Sequence, residues 1–286
     1  MLRRLRDALG RAGREADARP GSPPDPARFD RLVAELLPRD HARVFWGDRL
    51  LTLDKSMGFF DDPRFAAAFA GIRGSHQYDQ YASPHTIAWR LHTLVWAAQN
   101  ALALPGDFVE CGVFKGDFAW VVAQMTDFAR QPKMFYLYDT FDGFAPAYSS
   151  AADYPDAPGF FEFADQIYRD PSIHAEVLRK FAAYPNVRVV RGVVPDAFAE
   201  AAPERIAFLH IDLNSPAAEI GALDTLFDRV VPGGVIVFDD YGWHLFRKQK
   251  EAEDAFMAAR GYRILELPTG QGMVIKRPDP AEGAQA

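Results

Sequence analysis

Residues 107–118 read DFVECGVFKGDF, an apolar run that meets a carboxylate at Glu110 and then passes two glycines, Gly112 and Gly116. Such a stretch reads as a strand, a tight turn and the start of a helix. Glycine at such a turn lets backbone approach closely, and the helix that follows presents free N–H groups to a ligand. The spacing E-x-G-x-x-x-G differs from the dinucleotide fingerprint G-x-G-x-x-G, so a plain tight turn stays open here.

The pattern then repeats along the chain. Short runs rich in Val, Ile, Phe and Tyr follow at MFYLYDTF (134–141), VRVVRGVV (187–194), IAFLHIDL (206–213) and GVIVFDDY (234–241). Helical stretches are expected between them at about 117–130, 160–183 and 216–230. Strands alternating with helices predict an α/β fold with a parallel sheet covered on both faces. YRILELP (262–268) and GMVIKRP (272–278) flank a PTGQG turn, which predicts a terminal antiparallel hairpin. Upstream, residues 27–105 read as a helical segment. HTIAWRLHTLVWAAQNALAL places Ile87, Leu91, Leu94, Val95 and Ala98 on one helix face, and Pro105-Gly106 ends it. The domain reading is a flexible extension at 1–26, a helical cap at 27–105, a core at 106–277 and a disordered tail at 278–286.

Bulk properties narrow the function classes. The 286 residues are 49% hydrophobic and 25% charged, ordinary for a globular chain. A net charge of −7 argues against non-specific binding to nucleic acid or anionic membranes. One cysteine, Cys111, excludes an intramolecular disulfide and fits a reducing cytoplasm. No apolar run is long enough to span a bilayer. LRRLRDAL, near the start, suits a short amphipathic helix, read as a frayed extension or a contact to a partner or membrane surface. A homodimer is compatible with all of this.

Acids mark the strand ends. Asp139 ends the second run about thirty residues after Glu110, where a carboxylate can accept from a ribose diol; the alternative is a turn cap. Asp212 ends the fourth run and Asp239-Asp240 the fifth. If those strands are neighbours, three carboxylates converge. Two anions 4 Å apart repel by about 4 kcal/mol at an effective dielectric of 20. The local sequence around them holds no lysine or arginine before Arg247, so a hard divalent cation is the economical partner: Mg²⁺ first, with Ca²⁺ or Mn²⁺ as alternatives. Capping by one or two of the acids is the competing reading.

VECGVFKGDFA, YDTFDGF, LHID and PGGVIVFDDY together resemble the macrocin O-methyltransferase family, over roughly residues 84–276. The resemblance implies a class I methyltransferase sheet of seven strands, S-adenosylmethionine as cofactor, a divalent metal, and a hydroxyl of a sugar or glycosylated small molecule as acceptor. By it, Glu110, Gly112 and Gly116 lie along methionine and ribose, Asp139, Thr140 and Phe141 border ribose and adenine, and Gly192 and Val193 sit near adenine. WRLHTL is similar to the Arg-Leu segment ahead of the family's first strand. Arg90 either reaches the methionine carboxylate or forms a surface ion pair. Asp196 reads as a helix N-cap.

The family carries an aspartate as general base two residues after its first metal ligand. Here Asn214 stands at that position, and an amide cannot take a proton. The metal alone can acidify the acceptor, another base such as His244 can serve, or catalysis is altered or absent. His210 shares a strand face with Asp212 and reads as a core histidine or as an orienting neighbour of a ligand. FAPAYSSAADYPDAPGFFEF (144–163) reads as a flap over the acceptor or as a packing insert. The rival readings are a nicotinamide-dependent oxidoreductase, against which the missing fingerprint counts, and a non-catalytic cofactor-fold protein, which Asn214 keeps alive.

Overall fold

A computed structural model describes residues 31, 44–48, 50–72 and 87–278. The sequence readings for 1–26, for LRRLRDAL and for 279–286 lie outside these residues.

Strands β1 (Val44–Gly47) and β2 (Leu50–Leu53) form an antiparallel hairpin. The 27–105 stretch is therefore not helical throughout. VFWGDRLLTL is dense in branched and aromatic residues, and Asp48 takes the left-handed conformation (φ 50°) at the turn, as a short hairpin loop requires. Helices α1 (Pro63–Ile72) and α2 (Ala88–Ala101) follow. The expected apolar face of α2 is buried: Ile87, Leu91, Leu94, Val95 and Ala98 all lie in the core.

The main sheet comprises β3 (Asp107–Cys111), β4 (Phe135–Asp139), β5 (Val187–Arg191), β6 (Ile206–Ile211), β7 (Val230–Phe238), β8 (Leu265–Glu266) and β9 (Gly272–Ile275). Its order is β5-β4-β3-β6-β7-β9-β8. The first five strands are mutually parallel, and β9 runs antiparallel to both β7 and β8. Strand order reverses between β3 and β6, where ligands settle outside the carboxyl ends of open α/β sheets.

Alternation along each strand splits the core. Phe108, Phe208 and Val235 pack toward α1, α2 and α3 (Asp117–Met125). Val109, Leu209 and Ile236 pack toward α6 (Pro216–Leu226) and α7 (Arg247–Ala259). The expected helix at 160–183 is two helices, α4 (Phe160–Tyr168) and α5 (Ile173–Lys180), because Asp170-Pro171 cannot continue a helical ladder. Helix α7 is an addition to the expected elements. Its polar residues Gln249 and Glu253 are buried, which hides the apolar periodicity. YRILELP contributes only the two-residue edge strand β8, and short edges resist further pairing.

Candidate active site

Strand register builds the centre of the site. Glu110 pairs with His210, and His210 with Val237, so the side chains of Glu110 and His210 sit side by side on the α2 face of the sheet. His210 Nδ1 lies 3.0 Å from Glu110 Oε2. Its Nε2 lies 3.7 Å from Asp239 Oδ1, an ion-pair distance longer than a hydrogen bond. Burial works against a charge on His210, but Asp239 and Glu110 outweigh it and hold its pKa up at about 10. His210 is thus a buried link between two acids, with Phe118 edge-on to its ring.

Asp239 carries the line across to α2. Arg90 Nη1 donates to Asp239 Oδ2 at 2.5 Å and reaches Asp240 Oδ1 at 3.4 Å. Its Nε and Nη2 donate to the two oxygens of Asp48 at 2.6 and 3.1 Å. Gln271 Nε2 donates to Asp239 Oδ1 at 2.9 Å. Trp243 lies over the Arg90 guanidinium at 5.6 Å. Arg90 therefore does not form a surface ion pair, and its guanidinium is committed to three carboxylates. The acids do have a basic partner, contrary to the expectation from their local sequence. It comes from 149 residues away, across a helix–sheet contact that sequence proximity cannot reveal.

One arginine does not neutralise the group. Oxygens of Asp212, Asp239 and Asp240 all lie within 4.8 Å of one another. Burial disfavours the Asp239 anion, yet Arg90 and then His210 hold its pKa down to about 2. Asp240 is pushed up to about 8 by burial and then by Asp239. Asp212 is driven well above the carboxylate range by burial, Asp239 and Asp240. An all-oxygen set whose members resist ionising side by side suits a hard divalent cation, whose charge would let all three ionise. Asn214, in the left-handed conformation (φ 56°), places Nδ2 3.4 Å from Asp212 Oδ1 and leaves its own Oδ1 buried without a partner. Asp212 caps no helix: Ser215 caps α6, accepting from Ala218 N.

A cavity of about 720 Å³ opens on these acids, within the usual range for small-molecule sites. It runs along the strand ends past Gly112, Asp139, Thr140 and Phe141 to Gly192 and Val193. Arg90, Asn214 and His244 also line it, whereas Glu110 and Gly116 do not. Asp139 accepts from the Val113 and Phe114 N–H groups at 2.7 and 2.8 Å and from Phe141 N–H at 2.6 Å. Its carboxylate thereby ties the first strand-to-helix turn to the second. At Gly112 (φ +89°) an added Cβ would fall 1.8 Å from the carbonyl oxygen of Asp212. The close approach that demands glycine there comes from the chain's own neighbouring strand end, whatever else the cavity holds.

Residues 144–163 form the far wall. Phe144, Tyr154, Phe160 and Phe161 pack with Phe246. Tyr154 Oη donates to Asn214 O, and Ser215 Oγ donates to Tyr148 O at 2.6 Å. Asp196 is not an N-cap. Pro195 holds that position, and the Asp196 carboxylate accepts from Tyr148 Oη at 2.9 Å. Asp48, Gln271 and Trp243 are site residues that sequence reasoning missed. Only Gln271 had a local cue, lying in the PTGQG turn. Among the described residues, no helix is long and apolar enough to cross a membrane.

Comparisons with known proteins agree with this architecture. The family model described as macrocin O-methyltransferase (TylF) matches residues 81–264. The mycinamicin III 3''-O-methyltransferase of Micromonospora griseorubida is 30% identical over 162 residues, 53% of this chain and 62% of that protein. A Streptomyces olivaceus 4'-O-methyltransferase acting on 8-demethyl-8-(2,3-dimethoxy-alpha-L-rhamnosyl)-tetracenomycin-C is 26% identical over 157 residues, 53% of this chain and 60% of that protein. The match thus spans about three fifths of the length of these relatives. The O-methyltransferase NovP superposes with a TM-score of 0.53 at 21% identity, covering 68% of this chain and 82% of NovP. The calicheamicin methyltransferase CalS11 superposes with a TM-score of 0.50 at 15% identity, covering 77% and 93%. These two share the fold, a class I methyltransferase sheet with its terminal antiparallel hairpin. With the family model matched over most of the described core, the chain belongs to the macrocin O-methyltransferase family.

Proposed function

We propose that the protein transfers a methyl group from S-adenosylmethionine to a hydroxyl of a sugar or glycosylated small molecule, with a divalent cation held at Asp212, Asp239 and Asp240. The observation that carries this reading is the convergence of those three carboxylates on a cavity that also takes in the ends of β3, β4 and β5. The named substrates of the two relatives, mycinamicin III and a rhamnosyl-tetracenomycin, support a glycosylated acceptor.

In this reading Gly112 and the Asp139–Phe141 turn line the cofactor end, and Gly192 and Val193 border the base. When bound, the sulfonium supplies an electrophilic methyl group and the cation supplies Lewis acidity that lowers the pKa of a coordinated hydroxyl. The protein's task is then placement and exclusion of water. Arg90 fixes Asp239 and Asp240, while His210 and Gln271 hold Asp239 from its other side. The aromatic wall from 144–163 and Phe246 covers the acceptor end. Asn214 removes no proton, so the acceptor proton leaves by way of water or of His244 on the cavity wall.

Thermal-shift and calorimetric titration test the cofactor. S-Adenosylhomocysteine should bind and raise the unfolding temperature; at a hundred times Kd the stabilisation is about 2.7 kcal/mol. NADH should do neither. No measurable affinity for S-adenosylhomocysteine would reject the assignment. Labelled S-adenosylmethionine offered with mycinamicin III and with the rhamnosyl-tetracenomycin then screens the acceptor class.

A further inference from the structure

Behind the Asp212–Asn214 turn lies a second acidic group. Glu219 on α6 and Glu253 on α7 are fully buried, and so is Gln249, four residues before Glu253 on α7. Glu219 Oε2, both Glu253 carboxylate oxygens and both amide atoms of Gln249 make no hydrogen bond of normal geometry. The remaining oxygen, Glu219 Oε1, accepts from the Leu213 N–H at 3.2 Å. Leu213 sits between Asp212 and Asn214, whose left-handed conformation carries strain. The Glu219 side chain therefore holds this turn from beneath.

Among the described residues, neither Glu219 nor Glu253 forms an ion pair with a basic side chain. Apart from each other and the Gln249 amide, the ionisable groups coupled most strongly to the pair include Cys111 from β3, Tyr154 from the far wall, Asp240 from the end of β7 and Asp254 from α7. None of these is a cation. Lys250 turns to Asp254 and Glu266, and Arg247 to Asp156 and Glu251. Two adjacent carboxylates without a cation cannot both ionise in such a place.

We propose that Glu219 and Glu253 share one proton, and that the pair is a positioning device for the Asp212–Leu213–Asn214 turn. The positioning role rests on the reading of that turn as part of the methyl-transfer site. The shared proton does not. Burial and then Glu253 push the Glu219 carboxyl well above its ordinary range. Burial pushes Glu253 up to about 7, against the opposing pull of Glu219 and Gln249. A carboxyl whose folded pKa exceeds its unfolded one stabilises fully below the unfolded value and loses that stability as pH rises through the folded one. The window for this pair therefore closes as pH rises through about 7.

Two measurements test this. Thermal unfolding of the wild type, Glu219→Gln and Glu253→Gln is followed from about pH 5.5 to 8.5, without cofactor or metal. The wild type should lose unfolding temperature relative to both variants as pH rises from about 5.5 to about 7, and the difference should level off above that. Parallel curves would overturn the shared proton. Mn²⁺ is then titrated into protein loaded with S-adenosylhomocysteine. Glu219→Ala should bind Mn²⁺ about tenfold more weakly, in the range for loss of a group that orients a metal ligand, and Glu219→Gln should restore most of the affinity. Wild-type Mn²⁺ affinity in Glu219→Ala, or equal loss in Glu219→Gln, would overturn the positioning role. Should Glu219→Ala fail to fold, Glu219→Asp, one methylene shorter and unable to reach the Leu213 N–H, replaces it in the Mn²⁺ titration with the same expected loss. Should the wild type bind no Mn²⁺, the metal reading and the positioning role fall together, and the unfolding curves judge the proton alone.

Discussion

Arg90→Met should lower stability by about 3–5 kcal/mol, the usual cost of removing one partner from a buried ion pair. For a chain of this size that corresponds to an unfolding temperature lower by about 10 °C. Arg90 donates directly to Asp239, whose side chain is 1% exposed, and it also takes both oxygens of Asp48, 9% exposed. Without it, two buried carboxylates lose their main counter-charge. His210 and Gln271 still face Asp239, but Asp48 loses the guanidinium that pairs with both of its oxygens. Arg90→Lys should recover only part of the loss, because an ammonium cannot reproduce a fork that spans Asp48 and Asp239 at once. Adding Asp48→Asn to Arg90→Met should recover part of the loss, since the double variant removes one of the two carboxylates to which the guanidinium donates most closely. Unfolding in EDTA measures all four proteins. A shift below about 1 kcal/mol for Arg90→Met would mean that the pair is solvated and contributes as surface pairs do.

Asp212→Asn should reduce kcat by about a hundredfold or more, while affinity for S-adenosylhomocysteine changes only a few-fold. Lewis-acid assistance by a bound metal is worth several kcal/mol, and each 1.36 kcal/mol is a factor of ten in rate. Asp212 is suited to this test because Arg90 does not touch it. Among the described residues, its side-chain hydrogen-bond partner is the Asn214 amide at 3.4 Å, so the substitution removes a carboxylate ligand without breaking an ion pair. Asp239→Asn is a poorer probe, since it would also disturb Arg90, Gln271 and His210. A parallel loss of cofactor affinity in Asp212→Asn would instead point to collapse of the Gly112 turn, which packs against the Asp212 carbonyl. Undiminished turnover would remove Asp212 from the chemistry.

What was legible in the sequence was local. Each parallel strand is a short apolar run with turn residues after it, and three of the runs end in Asp139, Asp212 and Asp239. Period-two alternation and the rule that ligands sit at carboxyl strand ends are enough to bring Asp212 and Asp239 together once β6 and β7 are neighbours. What was not legible depended on partners far away in the chain. Gly112 stood out as a glycine, but the atom pressed against it belongs to Asp212 on another strand. Arg90 stood out on α2, yet no local pattern links it to Asp239 or to the Asp48 turn. Nothing in the local sequence marks Glu219 and Glu253 as buried; the packing of α6 against α7 buries them. The 44–53 hairpin was absorbed into a helical segment because its apolar residues carry no clean alternation.

Calorimetric titration of Mn²⁺ into the protein saturated with S-adenosylhomocysteine tests the central claim most directly. The carboxylates of Asp212, Asp239 and Asp240 should take up one ion per chain, and Asp212→Asn should abolish that uptake. A protein that binds S-adenosylhomocysteine but takes up no divalent cation, or takes it up equally well as Asp212→Asn, would contradict the account.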